Sequence, residues 1–70
     1  MKIEFWKIFE YSVNDVLIPK KDIGIGGLTI FKGYGIGRGI TFCGIDLFQY
    51  IGHYLEVKKY KGVYRIRGIY

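Results

Sequence analysis

The chain has 70 residues, a net charge of +5, one cysteine and one histidine. That length holds a single domain over residues 1–70. Cys43 alone cannot form an intrachain disulfide, and His53 alone cannot build the common zinc patterns. Isoleucine occurs twelve times and alanine never, which suits pleated strands and removes the best helix former.

In chain order, Ile3–Val13 alternates as a strand, with Ile3, Phe5, Phe9, Tyr11 and Val13 on one side and Trp6 and Ile8 opposite. Lys7 interrupts the first face. Asn14-Asp15 signals a turn, and Val16–Ile18 reads as a short strand ended by Pro19, which has no N–H to donate. Lys20-Lys21-Asp22 reads as a solvated turn. Ile23–Phe31 follows as a long strand, with a bulge expected at Gly26-Gly27. The apolar stretch Ile23–Phe48 is interrupted by Lys32, Arg38 and Asp46, which argues against a membrane span. The early charges Lys2, Glu4, Lys7 and Glu10 exclude a signal-peptide core. A cytoplasmic, reducing location with no membrane partner is the expectation.

Lys32–Ile45 carries glycine at positions 33, 35, 37 and 39. Read as a strand, this segment presents Lys32, Tyr34, Ile36, Arg38, Ile40 and Phe42 on one face and bare backbone on the other. Such a stripe suits close packing by a helix, a sheet or a second subunit. It also suits an anion-binding nest flanked by Lys32 and Arg38, with Tyr34 inside it. Neither the Gly-x-Gly-x-x-Gly fingerprint nor a phosphate loop is present.

Asp46–Lys58 reads as a helix. Leu47, Phe48, Ile51, Tyr54 and Leu55 share one face, and Asp46 with Gln49 resembles a capping box. The competing reading makes Tyr54–Lys58 a strand, joined to the last one by a hairpin over Lys59–Gly62. Val63–Tyr70 is the final strand, with Val63, Arg65, Arg67 and Ile69 on one face and Tyr64, Ile66 and Tyr70 on the other. The expected architecture is α+β: a small, bent antiparallel sheet of four to five strands with one short helix near 46–58. A small all-β barrel is the alternative.

Charge is unevenly placed. Residues 1–56 hold six basic and six acidic side chains, whereas 57–70 hold Lys58, Lys59, Lys61, Arg65 and Arg67 with no acid. These cations alternate with Tyr60, Tyr64 and Tyr70, a pattern suited to gripping phosphates and stacking on bases. The same charge also protects an edge strand from aggregation. The expected function is therefore non-catalytic binding of a phosphate-bearing ligand, a nucleotide or a nucleic acid. Lys58, Lys61, Arg65, Arg67 and Arg38 would supply charge, and Tyr60, Tyr64 and Tyr34 would stack. The rival expectation is a small inhibitor of the kind carried by viruses or mobile elements, blocking an acidic surface on a host protein. Apolar burial in so short a chain roughly balances its ordering entropy, so a homo-oligomer is expected as well. Ser12, Cys43 and His53 form no recognisable catalytic arrangement, so no enzyme activity and no cofactor are expected.

Overall fold

Five antiparallel strand pairs and one parallel pair organise most of the molecule, and all 70 residues are described in the computed structural model. The first strand, β1 (Lys2–Glu4), stops early because the next four residues, Phe5–Ile8, form one helical turn, α1. A continuous strand would place Phe5 and Phe9 on one side and Ile8 on the other. The turn brings all three inward instead, each fully buried, and leaves Trp6 and Lys7 outside. The rings of Phe5 and Phe9 then stack at 4.6 Å. The long strand expected over 3–13 is thus split, and α1 carries the chain from one sheet to the other.

After α1 come β2 (Phe9–Ser12) and β3 (Val16–Pro19), an antiparallel hairpin turning at residues 13–15. The expected strand over 23–31 is a second hairpin, β4 (Asp22–Ile25) and β5 (Leu28–Ile30). Gly26-Gly27 is its two-residue turn rather than a bulge.

The glycine-rich segment departs most from expectation. Only Ile36–Gly37 forms a strand, β6, paired with Val16 and Leu17 of β3. Ile36 plugs the core, while Gly33 and Gly39 (φ 90° for both) turn the chain away on either side. The bare stripe is broken up, and close approach survives at Gly35, where an added Cβ would come within 3.0 Å of Val16 Cγ1.

The expected helix over 46–58 is also absent. Asp46 does cap a turn, accepting from the Phe48 N–H at 3.0 Å, but this is a 3-10 turn confined to Leu47–Tyr50. Gly52, with φ of 87°, ends any helical continuation. From Tyr54 the chain runs as β7 (Tyr54–Tyr60), turns at Lys61-Gly62, and returns as β8 (Val63–Ile69). The hairpin reading of this region is the one the structure adopts.

The strands form a five-stranded sheet, in the order β1-β7-β8-β4-β5, and a three-stranded sheet, β2-β3-β6. The large sheet is mixed rather than antiparallel, because β4 and β8 run parallel. The molecule is a small α+β fold without a closed barrel. One core of thirteen buried residues lies between the sheets. Ile23, Ile25, Ile30, Leu55, Val57 and Ile66 face it from the large sheet, and Phe9, Leu17 and Ile36 face it from the small one. The accessible surface of 4420 Å² for 8.1 kDa matches the roughly 4,500 Å² of a compact monomer.

Register in β8 shifts once. Val57 pairs with Ile66 but Glu56 pairs with Gly68, which leaves Arg67 as the extra residue of a β-bulge. Gly68 has φ of 155°, a conformation L side chains rarely adopt. Beyond the bulge the alternation is inverted. Ile69 pairs with Leu55 on the core-side face, and Tyr70 joins the outward face, the reverse of the strict period-two reading.

Candidate functional site

The outward face of the large sheet is covered by no other element, and the uneven charge of the chain converges on it. Alternation along β7 turns Leu55 and Val57 inward and sends Tyr54, Glu56, Lys58 and Tyr60 outward. In β8 the outward residues are Val63 and Arg65, followed by the bulge at Arg67. Lys58 and Arg65 are direct cross-strand partners, and Gly24 of β4 is the partner of Arg65 on its other side. Lys2 of β1 pairs with Glu56 and joins the same face.

Two like charges placed directly opposite repel, and nothing here neutralises them. Among all lysines and arginines of the chain, Arg38 alone has a carboxylate within 4.0 Å. The Arg65 guanidinium lies over Gly24, where an added Cβ would sit 3.1 Å from its Cζ, and it donates to the Gly26 carbonyl at 3.2 Å. Its position is therefore set by backbone rather than by an opposing charge. Glu56 shares this face and is already engaged. It accepts from the Tyr70 hydroxyl at 2.6 Å and pairs with the N-terminal amine at 3.3 Å. The Tyr70 hydrogen bond, followed by the amine, holds its carboxyl below the usual value, and the same bond raises the Tyr70 phenol.

Rings flank the cations. Lys2 Nζ lies 5.0 Å from the ring centroids of both Tyr54 and Tyr70. At the other end of β7, Lys61 in the hairpin turn lies 5.3 Å from the ring of Tyr60. Where β1 ends, the free edge of β7 borders an open groove of about 460 Å³ lined by Met1, Glu56, Val57, Lys58, Lys59 and Arg67.

The structure thus brings together Lys58, Arg65, Arg67, Tyr60 and Lys61, and separates the remaining candidates. Tyr64 is on the core-side face, packed against the core and flanked by Lys59 at 5.1 Å and Lys21 at 6.0 Å. Period two demands this, since Tyr64 and Arg65 are adjacent in a strand. Arg38 is committed elsewhere: it grips Asp15 through two hydrogen bonds of 2.8 and 2.9 Å and lies 4.4 Å above the ring of Phe48. This pairing, with the Tyr11 hydroxyl also on Asp15, lowers the Asp15 pKa to about 2. Tyr34 lies beyond the opposite edge of the sheet, where it lines an apolar groove of about 290 Å³ with Leu28, Ile30, Phe31 and Phe42.

Lys2 and Tyr54 complete the face and were missed by sequence reasoning. Their signal was the alternation of Lys2 with Ile3 and of Tyr54 with Leu55, which the helix reading of 46–58 concealed. No group of three or more His, Cys, Asp or Glu side chains is placed to hold a metal, and no helix is long and apolar enough to cross a membrane. Comparison with protein-family models, with curated proteins and with solved structures finds no match to this chain, so its chemistry is read from the face itself.

Proposed function

We propose that this protein is a non-catalytic binding protein for a phosphate-bearing ligand, a nucleotide or a nucleic acid, held on the outward face of the β7–β8 hairpin. The observation that carries this reading is the cross-strand pair Lys58–Arg65, with Arg67 beside it in the bulge and no carboxylate bound to any of the three. Side-by-side cations cost stability when empty and are relieved when an anion bridges them. The free thiol of Cys43 suits a reducing compartment such as the cytoplasm.

Tripolyphosphate, titrated into the labelled protein at low salt and followed by amide NMR shifts, tests the proposal. Shifts should concentrate at Lys58, Arg65 and Arg67, and charge reversal of both arginines should abolish them. Shifts spread over all surface lysines, or unchanged by the double reversal, would overturn it. A second reading, a small inhibitor that docks on a host protein, draws support from the exposed rings of Phe31 and Tyr34 beside the apolar groove. Salt separates the two, since phosphate binding weakens steeply with ionic strength and an aromatic interface does not.

A further inference from the structure

Resting on that anion-binding reading, we infer that the ligand is a single-stranded nucleic acid with its bases stacked, laid along the outward row of β7 from Tyr54 to Tyr60 with a ring at each end. The first argument is length. Six residues of strand separate the two rings, about 20 Å at ~3.3 Å per residue. A mononucleotide reaches only part of that span, whereas one stacked strand places a charge every ~3.4 Å and fills it with about six nucleotides.

The second argument is order. Exposed rings stand at both ends, Tyr54 with Tyr70 at one and Tyr60 at the other, and they are 48%, 60% and 64% exposed. Lys58, Arg65 and Arg67 occupy the middle beside Glu56, whose carboxylate is taken up by the Tyr70 hydroxyl and the N-terminal amine. Rings for bases flanking cations for phosphates is the arrangement that single-strand binders use, and it tolerates any base sequence because every base has a π-face.

The third argument is width. A two-stranded ribbon enters a duplex major groove, which is about 12 Å wide. Here β4 pairs with β8 along Val63–Ile66, and β5 pairs with β4. The four strands β7 to β5 span about 14 Å between axes at ~4.8 Å spacing. The hairpin is therefore too broad to enter as a ribbon, and its tyrosines cannot reach the faces of bases that remain stacked in a duplex.

Fluorescence anisotropy with labelled oligothymidylates of one, three, six and nine nucleotides, and with a duplex of equal charge, tests the inference. Affinity should rise with length to about six nucleotides and then level off. Tyr54→Ala and Tyr60→Ala should each weaken six-nucleotide binding by roughly fivefold or more, while leaving tripolyphosphate binding unchanged. A six-nucleotide strand that binds no better than the mononucleotide, is indifferent to both tyrosines, or binds less tightly than the duplex would overturn the inference and leave the phosphate reading standing. Failure of every oligomer and of tripolyphosphate at low salt would overturn both.

Discussion

The guanidinium of Arg65 rests on the bare backbone of Gly24, its cross-strand neighbour, with a hydrogen bond from Arg65 to the Gly26 carbonyl holding it there. A methyl group at position 24 would sit 3.1 Å from the guanidinium carbon, and the flexible arginine would yield before the sheet does. Gly24→Ala should therefore leave the circular dichroism spectrum unchanged and weaken oligothymidylate binding about two- to fivefold, because the cation must be ordered again on binding. Full affinity in the alanine variant would show that the resting position of Arg65 has no bearing on the ligand.

Stability and binding should move in opposite directions at position 58. Lys58→Glu converts a like-charge cross-strand pair with Arg65 into an opposite-charge one, worth roughly 0.2–1 kcal/mol. The variant should unfold at higher urea than the parent and lose most of its affinity for oligothymidylate. A destabilised variant would mean that Lys58 and Arg65 do not repel in the free protein.

Salt dependence counts the phosphates engaged. If Lys2, Lys58, Arg65 and Arg67 each hold one, log affinity should fall against log salt with a slope near −2.8, about 0.7 per contact on a single strand. Arg67→Ala should reduce that slope by about 0.7, and a slope unaffected by the substitution would remove Arg67 from the interface.

Acid should expose the separate role of Arg38. The Asp15 carboxyl has its pKa lowered from 3.8 to about 2 by the Arg38 hydrogen bonds and then by the Tyr11 hydroxyl. A lowered folded-state pKa stabilises above the ordinary value, and that stabilisation disappears as pH falls through the folded one. Asp15→Asn should thus melt below the parent by a constant interval from neutrality down to about pH 4, and the interval should close toward pH 2. Thermal melts at successive pH values read this directly, and an interval independent of pH would show that the bridge adds nothing.

Much of this fold was legible because it depends on local chemistry. The turn at Asn14-Asp15, the strand end at Pro19 and the Asp46 cap all follow from short-range rules. The concentration of unopposed cations in 57–70 was visible directly, and it led to Lys58, Arg65 and Arg67. What could not be read was set by partners distant in sequence. Leu47, Phe48, Ile51, Tyr54 and Leu55 fit a helical face, yet Leu55 is claimed by Ile3 on one side and Ile69 on the other. Pairing on both edges outweighed a helix already weakened by Gly52. The glycine run failed as a strand for the opposite reason, since β3 offers it only Val16 and Leu17 as partners. Tyr64 was grouped with the cations by its place in the sequence, although period two already put it on the face opposite Arg65.

The surplus residue at Arg67 acts as a phase slip in the weave of the sheet. Upstream of it the faces follow strict alternation; downstream each residue takes the face opposite to the one strict alternation assigns, which returns Ile69 to the core side beside Leu55. Deleting Arg67 would leave a regular ladder, with Gly68 still opposite Glu56 and Ile69 still opposite Leu55, so the ring of Tyr70 would stay outside and only the surplus cation would be lost. A change of length by one there therefore alters what this surface offers to its surroundings without disturbing the weave.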